Sequence, residues 1–325
     1  MSDVILTVKS LKKHFPIRQG ILQRHVGDVR AVDGIDLEIK RGTTMGIVGE
    51  SGCGKSTAAR VMINLIPPTS GEVYFDGHDV FTKDKALKKE LRRRMNIVFQ
   101  DPFNSLNPRM TVADLVGEPL QAHGLAKSNK HMISRVVELI ESCGLFADQI
   151  YRYPHMFSGG QRQRICIARA LAASPDFIVC DEAVSALDVS IQAQVINLLC
   201  DLKESFNLTY VFISHDLEVV RFISDEVVVM YLGRVVEKAP KDKIFANPSH
   251  PYTISLISAV PVFDPEAEQP PERIVLKGDI PSPSAPPPGC RFHTRCPSAM
   301  DICAANEPET KEISTGHTVC CHLFQ

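Results

Sequence analysis

GESGCGKST, Gly49 to Thr57, places two glycines, a lysine and a hydroxyl at the spacing G-x-x-x-x-G-K-[ST]. In such a loop, backbone N–H groups close around phosphate oxygens, and a helix that follows adds partial positive charge at the same point. Lys55 is placed to contact the outer phosphates of a nucleoside triphosphate and Ser56 to ligate Mg²⁺, with Gly49, Glu50, Ser51, Gly52, Cys53, Gly54 and Thr57 completing the cradle. Cys53 lies at the N-terminus of that helix, where a thiolate is favoured, so it is expected to react with alkylating agents. A second run, FIVCDE (Phe177–Glu182), ends an apolar segment in two acids. Beside a phosphate loop, Asp181 is expected to hold the Mg²⁺ shell and Glu182 to polarise an attacking water. A third group lies in the tail, where five of the ten cysteines occupy the last 36 positions.

These side chains need rigid elements to hold them. Short β-branched runs alternate with longer helical patterns, which predicts a mostly parallel sheet covered by helices. Strands are expected at Val4–Val8, Ile35–Ile39, Met45–Val48, Asn96–Phe99, Asp176–Cys180, Thr209–Ile213 and Glu226–Tyr231. Met45–Val48 is apolar on both faces and so reads as a buried strand leading into the phosphate loop. Between Asp101 and Ser174 the strand signal vanishes, and Met110–His123, Lys130–Cys143 and Gly159–Ala173 read as helices. From Pro261 to Gly289 nine prolines predict an extended connector, after which the cysteine-rich tail is expected as a small appendage.

The net charge of −2 argues against a nucleic-acid partner, and the basic run KKELRRR (Lys88–Arg94) reads as a solvated helix face. The first residues, MSDVILTVKSLKKHF, have no apolar core of the kind a secretory signal requires. No window approaches the ~20 apolar residues that cross a bilayer. A cytosolic chain is therefore expected, in which disulfides do not persist and clustered thiols hold a metal.

FSGGQRQR, Phe157 to Arg164, resembles the signature of ABC-type ATPases, in which Leu usually stands where this chain has Phe157. Other motifs of that family follow: Gln100 in VFQDP matches the Q-loop, SALD (Ser185–Asp188) the D-loop, and His215 in ISHD the switch histidine. Ala183 replaces the Pro that commonly follows the acidic pair. The resemblance implies an α/β fold, a P-loop ABC-type nucleotide-binding domain with a RecA-like core and a helical subdomain. It implies that Gln100 joins Ser56 and Asp181 around Mg²⁺, that Gln100, Glu182 and His215 serve catalysis, and that Asp188 is the D-loop acid. Phe15 sits where the family places an aromatic that stacks on adenine, a plain core phenylalanine being the alternative. Ser158 can cap the helix that follows, and Gly159 and Gly160 leave its first N–H groups bare. By resemblance Ser158, Gly159, Gly160 and Gln161 face the nucleotide of a second subunit.

FQDPFNSLNPRMTV, RYPHMFSGGQRQR, VMYLGRVVEK, NPSHPYT and GDIPSPSAPPPGCRFHTRCP narrow the resemblance to the ATP-binding subunits of bacterial dipeptide and oligopeptide importers, over nearly the whole chain. This implies an ABC ATPase domain over residues 1–260 with its helical subdomain at about 101–174, a connector at 261–289, and a cysteine-rich metal-binding or iron–sulfur extension at 290–325. It implies an ATPase using ATP and Mg²⁺ at the cytoplasmic face of the cell (inner) membrane, powering peptide uptake. Its partners would be a second, different ABC ATPase, two transmembrane permease subunits and an extracytoplasmic peptide-binding protein. The segment from Gln100 to about Leu120 would receive a permease helix. Import of nickel or glutathione by the same architecture is the alternative, ahead of a soluble ABC ATPase unlinked to transport. The latter would need a coiled-coil or zinc insertion or a second P-loop, and the sequence has neither.

Cys290, Cys296 and Cys303 are separated by five and six residues, with a fourth thiol at Cys320 or Cys321. This spacing lacks the tight knuckles of common zinc sites and of bacterial ferredoxins and says only that a metal is held. His293, His317 and His322 keep a mixed Cys/His zinc site open. The resemblance implies a [4Fe–4S] cluster on Cys290, Cys296, Cys303 and Cys321, because related tails place the last ligand two residues after a Val, as in HTVCCH; Zn²⁺ is the alternative.

Overall fold

The computed structural model describes residues 3–260 and 274–325, so the first half of the expected connector lies outside the described residues. In chain order the strands are β1 (Val4–Gln19), β2 (Arg24–Lys40), β3 (Thr44–Val48), β4 (Ser70–Phe75), β5 (His78–Asp79), β6 (Met95–Val98), β7 (Phe177–Asp181), β8 (Thr209–Ile213), β9 (Glu226–Tyr231), β10 (Arg234–Pro240), β11 (Thr310–Ser314) and β12 (His317–Cys320). They belong to two compact units, one of residues 40–44 and 79–214 and one of residues 4–39, 45–78, 215–260 and 274–325.

In the first unit β8, β7 and β6 lie side by side and parallel, with Phe177↔Thr209 and Met95↔Phe177 in register. β7 and β8 are buried at every position, which is why they read as unbroken apolar runs rather than alternations. Between β6 and β7 run the helices Pro102–Ser105, Val112–Ala122, Asn129–Ser142 and Gly159–Leu171. A side-chain cap sets each start, at Asp101, Thr111, Ser128 and Ser158. The Thr111 hydroxyl accepts from Asp114 N–H in a reciprocal capping box, and the Ser128 hydroxyl accepts from His131 N–H. The KKELRRR run falls on the helix Lys85–Arg94, which Asp84 caps and which buries only Leu91.

In the second unit β2, β1, β4 and β5 form one sheet, and β11, β12, β10, β9 and β3 lie in that order in another. β1 and β4 are antiparallel, whereas β3 runs parallel to β9. The expected strands Val4–Val8 and Ile35–Ile39 lie within much longer ones, in which Leu11, Val32 and Asp33 are also buried and the other residues are half-buried or exposed. β4, β5 and the strands after β9 were not expected at all.

The cysteine-rich tail is not an appendage. β12 pairs with β10 at Glu237↔Val319 and Lys238↔Thr318. Phe292 is 1% exposed, its ring 5.2 Å from that of Tyr231, 5.4 Å from Tyr252 and 5.6 Å from His250. The carboxylate of Glu237, fully buried, accepts from Ser249 N–H and His250 N–H and meets His317 Nε2 at 2.7 Å. A buried carboxylate persists only with such partners, so the tail completes the core of this unit.

Candidate active site

β3 delivers the chain into a tight loop, and the helix Lys55–Met62 leaves it. Gly49 and Gly54 have φ of 147° and 105°. A Cβ on them would fall 2.2 Å from Met230 O and 2.0 Å from Ala31 O, so backbone packs where any side chain would stand. Lys55 is 4% exposed and folds back, its Nζ donating to Gly49 O (2.7 Å) and Glu50 O (3.0 Å). Ser56 and Thr57 are half-buried in the first turn, while Ser51 and Gly52 are exposed. Cys53 corrects the expectation of a reactive thiolate. It is 4% exposed, and burial pushes its thiol up despite the nearby Lys55 ammonium. Phe15 stands on β1, 37% exposed, with the Lys13 ammonium 4.9 Å from its ring centroid, which removes the plain core reading. His215 is exposed, next to Asp216, whose side chain caps the helix Leu217–Ile223.

In the first unit Asp181 ends β7, 2% exposed. Glu182 follows with φ 50°, a left-handed backbone that costs a non-glycine residue about 1 kcal/mol. The turn is held by Glu182 N–H donating to Ile213 O (3.0 Å) and by the Ser185 hydroxyl donating to Glu182 O (3.0 Å). Gln100 Nε2 donates to Glu182 Oε2 at 2.8 Å and lies 3.5 Å from Ser185 Oγ. Two residues 82 positions apart are thus joined, Q-loop amide to candidate base. Asp188 caps the helix Val189–Phe206 by position only, with no side-chain capping bond.

At the signature, Ser158 Oγ accepts from Gln161 N–H while Gln161 Oε1 accepts from Ser158 N–H. The first N–H groups are therefore not all bare: that of Gln161 is already taken. A Cβ on Gly160 would fall 2.4 Å from Ile191 Cγ2, so this glycine serves helix packing. The S-x-x-Q spacing made the capping box legible, and the sequence reading missed it. Two other residues had no sequence signal. The Tyr252 hydroxyl accepts from Glu50 N–H (2.8 Å) and Arg295 grips the Glu50 carboxylate, from 202 and 245 positions away.

Residues 32–185 match the family described as ABC transporter, and residues 236–303 that described as Oligopeptide/dipeptide transporter, C-terminal region. The oligopeptide transport ATP-binding protein AppF of Bacillus subtilis (strain 168) is 54% identical over 323 residues, covering 99% of this chain and 98% of that protein. The chain belongs to the oligopeptide-transporter family of ABC ATP-binding proteins. A putative peptide import ATP-binding protein of Brucella ovis is 49% identical, with 98% and 97% covered. Among solved structures, cbiO1 from Clostridium perfringens, part of the ABC transporter complex cbiONQ, is 28% identical with TM-score 0.64, over 76% of this chain and 92% of that one. A dimeric ATP-binding cassette in a post-hydrolysis state, bound to ADP and Pi, is 30% identical with TM-score 0.64, over 73% and 99%.

In this ABC ATP-binding protein the two departures from the usual motifs, Phe157 and Ala183, are 5% and 2% exposed packing positions. None of its tail thiols is in a disulfide. Burial pushes Cys290 up to about 11, with Cys303, Cys321 and Cys296 adding in the same direction. Cys320 is occupied elsewhere, its Sγ donating to Pro308 O at 3.2 Å. Three histidines also have other partners: His317 at Glu237, His322 Nε2 at Asn306 O, and His293 Nδ1 at Cys290 O. Among the described residues no three Cys, His, Asp or Glu side chains converge as ligands of one metal ion. The thiols share a neighbourhood without ligand geometry.

Proposed function

We infer that this chain is the ATP-hydrolysing subunit of a membrane importer of dipeptides or oligopeptides. The observation that carries the chemistry is Glu182, held in a left-handed turn with its carboxylate against Gln100 at 2.8 Å. There Glu182 polarises the attacking water, Gln100 positions it, and His215 contacts the outer phosphate. Lys55 and the loop Gly49–Thr57 bind the phosphates, and Phe15 stacks on the base. Ser56, Asp181 and Gln100 offer hydroxyl, carboxylate and amide oxygens, the hard donors that suit Mg²⁺; when bound, the ion offsets phosphate charge. Ser158 to Gln161 and Asp188 serve the nucleotide of a partner ATPase, so two subunits share two ATP molecules. The peptide cargo is inferred from the names of full-length relatives, and from it follow permease partners, a peptide-binding protein and a place at the cytoplasmic membrane face.

The same reading divides the chain into an ATPase domain (1–260, helical at about 101–174), a connector (261–289) and a metal-binding extension (290–325). Cys290, Cys296, Cys303 and Cys321 are the donor set for a [4Fe–4S] cluster. The resemblance carries this set, whose thiols do not converge as ligands in this structure, and the Pro308 bond of Cys320 favours Cys321 as the fourth member. Each of the three histidines engages one ring nitrogen with a carbonyl or carboxylate, as metal-bound imidazoles do, and His322 Nδ1 is buried without a hydrogen-bond partner, so Zn²⁺ stays the alternative.

Glu182→Gln in the assembled transporter is expected to keep Mg-ATP binding and to lose roughly 10²–10⁴-fold in turnover, the span of general-base removal. Lys55→Ala weakens nucleotide binding itself. Near-wild-type turnover of Glu182→Gln would sink the role given to Glu182.

A further inference from the structure

Glu50 is an acid inside a loop built to hold anions. A free carboxylate there repels phosphate, so its surroundings decide whether the loop is attractive. Three groups hold Glu50. Its N–H donates to the Tyr252 hydroxyl at 2.8 Å, and its carbonyl accepts from Lys55 Nζ at 3.0 Å. Its carboxylate takes both arms of the Arg295 guanidinium, Nη1 to Oε2 at 2.7 Å and Nη2 to Oε1 at 3.0 Å. The fork is 8% exposed and the carboxylate 24%, so water screens the pair poorly.

Arg295 is itself anchored. Its neighbour Phe292 is the buried ring among Tyr231, Tyr252 and His250. Arg291, 7% exposed, donates to Leu232 O and pairs with Asp33. Tyr231 and Leu232 also line a cavity of about 260 Å³ whose other walls are Glu50–Cys53 and Ile280–Pro283. The phosphate loop thus rests on the tail through a side chain on a rigid support.

We propose that Arg295 is a positioning residue for the phosphate loop: it neutralises and orients the Glu50 carboxylate, so that the tail sets the affinity of the loop for nucleotide. The bidentate fork fixes the carboxylate plane, which a point charge does not. Removing Arg295 leaves one uncompensated negative charge in the loop. The nucleotide affinity then falls while the hydrolytic groups Gln100 and Glu182 keep their own contacts. The inference rests on the assignment of Gly49–Thr57 as the nucleotide loop.

Mg-ATP affinity of the full-length chain, read by titration with a fluorescent ATP analogue, tests it. Arg295→Ala is expected to weaken binding about tenfold, the scale of one charge-assisted hydrogen bond. Arg295→Lys falls between it and the wild type. Glu50→Gln placed in the Arg295→Ala background restores most of the loss, because it removes the unpaired charge. In the assembled transporter Arg295→Ala raises KM and leaves kcat within twofold. If Arg295→Ala does not fold, Arg295→Gln, which keeps most of the side-chain stem, reads the same loss and rescue. Unchanged affinity, or a loss that Glu50→Gln does not rescue, overturns the role of Arg295. A wild-type chain that binds no Mg-ATP overturns the loop assignment instead.

Discussion

His250 shows how one residue ties this fold to solution conditions. Burial pushes its imidazole down to about 3 from an ordinary 6.5, and its Nδ1 accepts from Tyr252 N–H, so the ring is held neutral. The unfolded chain protonates this residue below 6.5 and the folded chain does not. Its contribution is therefore fully present above 6.5 and is lost as pH falls toward 3, with a slope of up to ~1.4 kcal/mol per pH unit. Chemical denaturation between pH 6.5 and about 5 is expected to show a steeper stability loss in the wild type than in His250→Asn, which keeps a capping acceptor without a titrating ring. Equal slopes would refute the assignment. Cys53 teaches the opposite lesson about position alone. A helix N-terminus favours a thiolate, yet at 4% exposure the cost of burying charge wins.

Elements explain which parts of the chain were legible. β7 and β8 were readable because a strand buried on both faces is a continuous apolar run. β10 and β12 were not, because Glu237 and His317 are polar residues buried by pairing with each other, which no hydropathy pattern registers. The helix Gly159–Leu171 was legible in the sequence, but its reciprocal cap at Ser158 and Gln161 was not read beside the anion-binding role that the resemblance implies for the same residues. The segment around Phe292 reads in sequence as part of a small cysteine-rich appendage, although its ring is central to the second unit. Phe292→Ala is accordingly expected to cost roughly 3–5 kcal/mol. Urea unfolding followed by circular dichroism would show this as a lower midpoint at unchanged slope. A shift equivalent to less than about 1 kcal/mol, the size typical of a surface site, would mean the tail packs elsewhere.

On the scale of the whole molecule, the signature at Ser158–Gln161 belongs to a nucleotide that this chain does not itself hold, if the inferred dimer is right. The isolated chain is then expected to hydrolyse ATP slowly, and a partner ATPase with its permeases to accelerate it. Steady-state phosphate release across a range of chain concentrations checks this. A monomer with the turnover of the full complex would contradict the shared site. The expectations for the loop Gly49–Thr57 and for the acids Asp181 and Glu182 came from residue type at fixed local spacing, whereas those for the signature and Gln100 came from a resemblance to ABC-type ATPases. Tertiary structure alone decided that Gln100 touches Glu182, that Cys320 turns to Pro308 and that Arg295 grips Glu50. Those pairings join residues that only packing brings within hydrogen-bond reach, because a charge or a donor in sequence carries no record of the distant group that satisfies it.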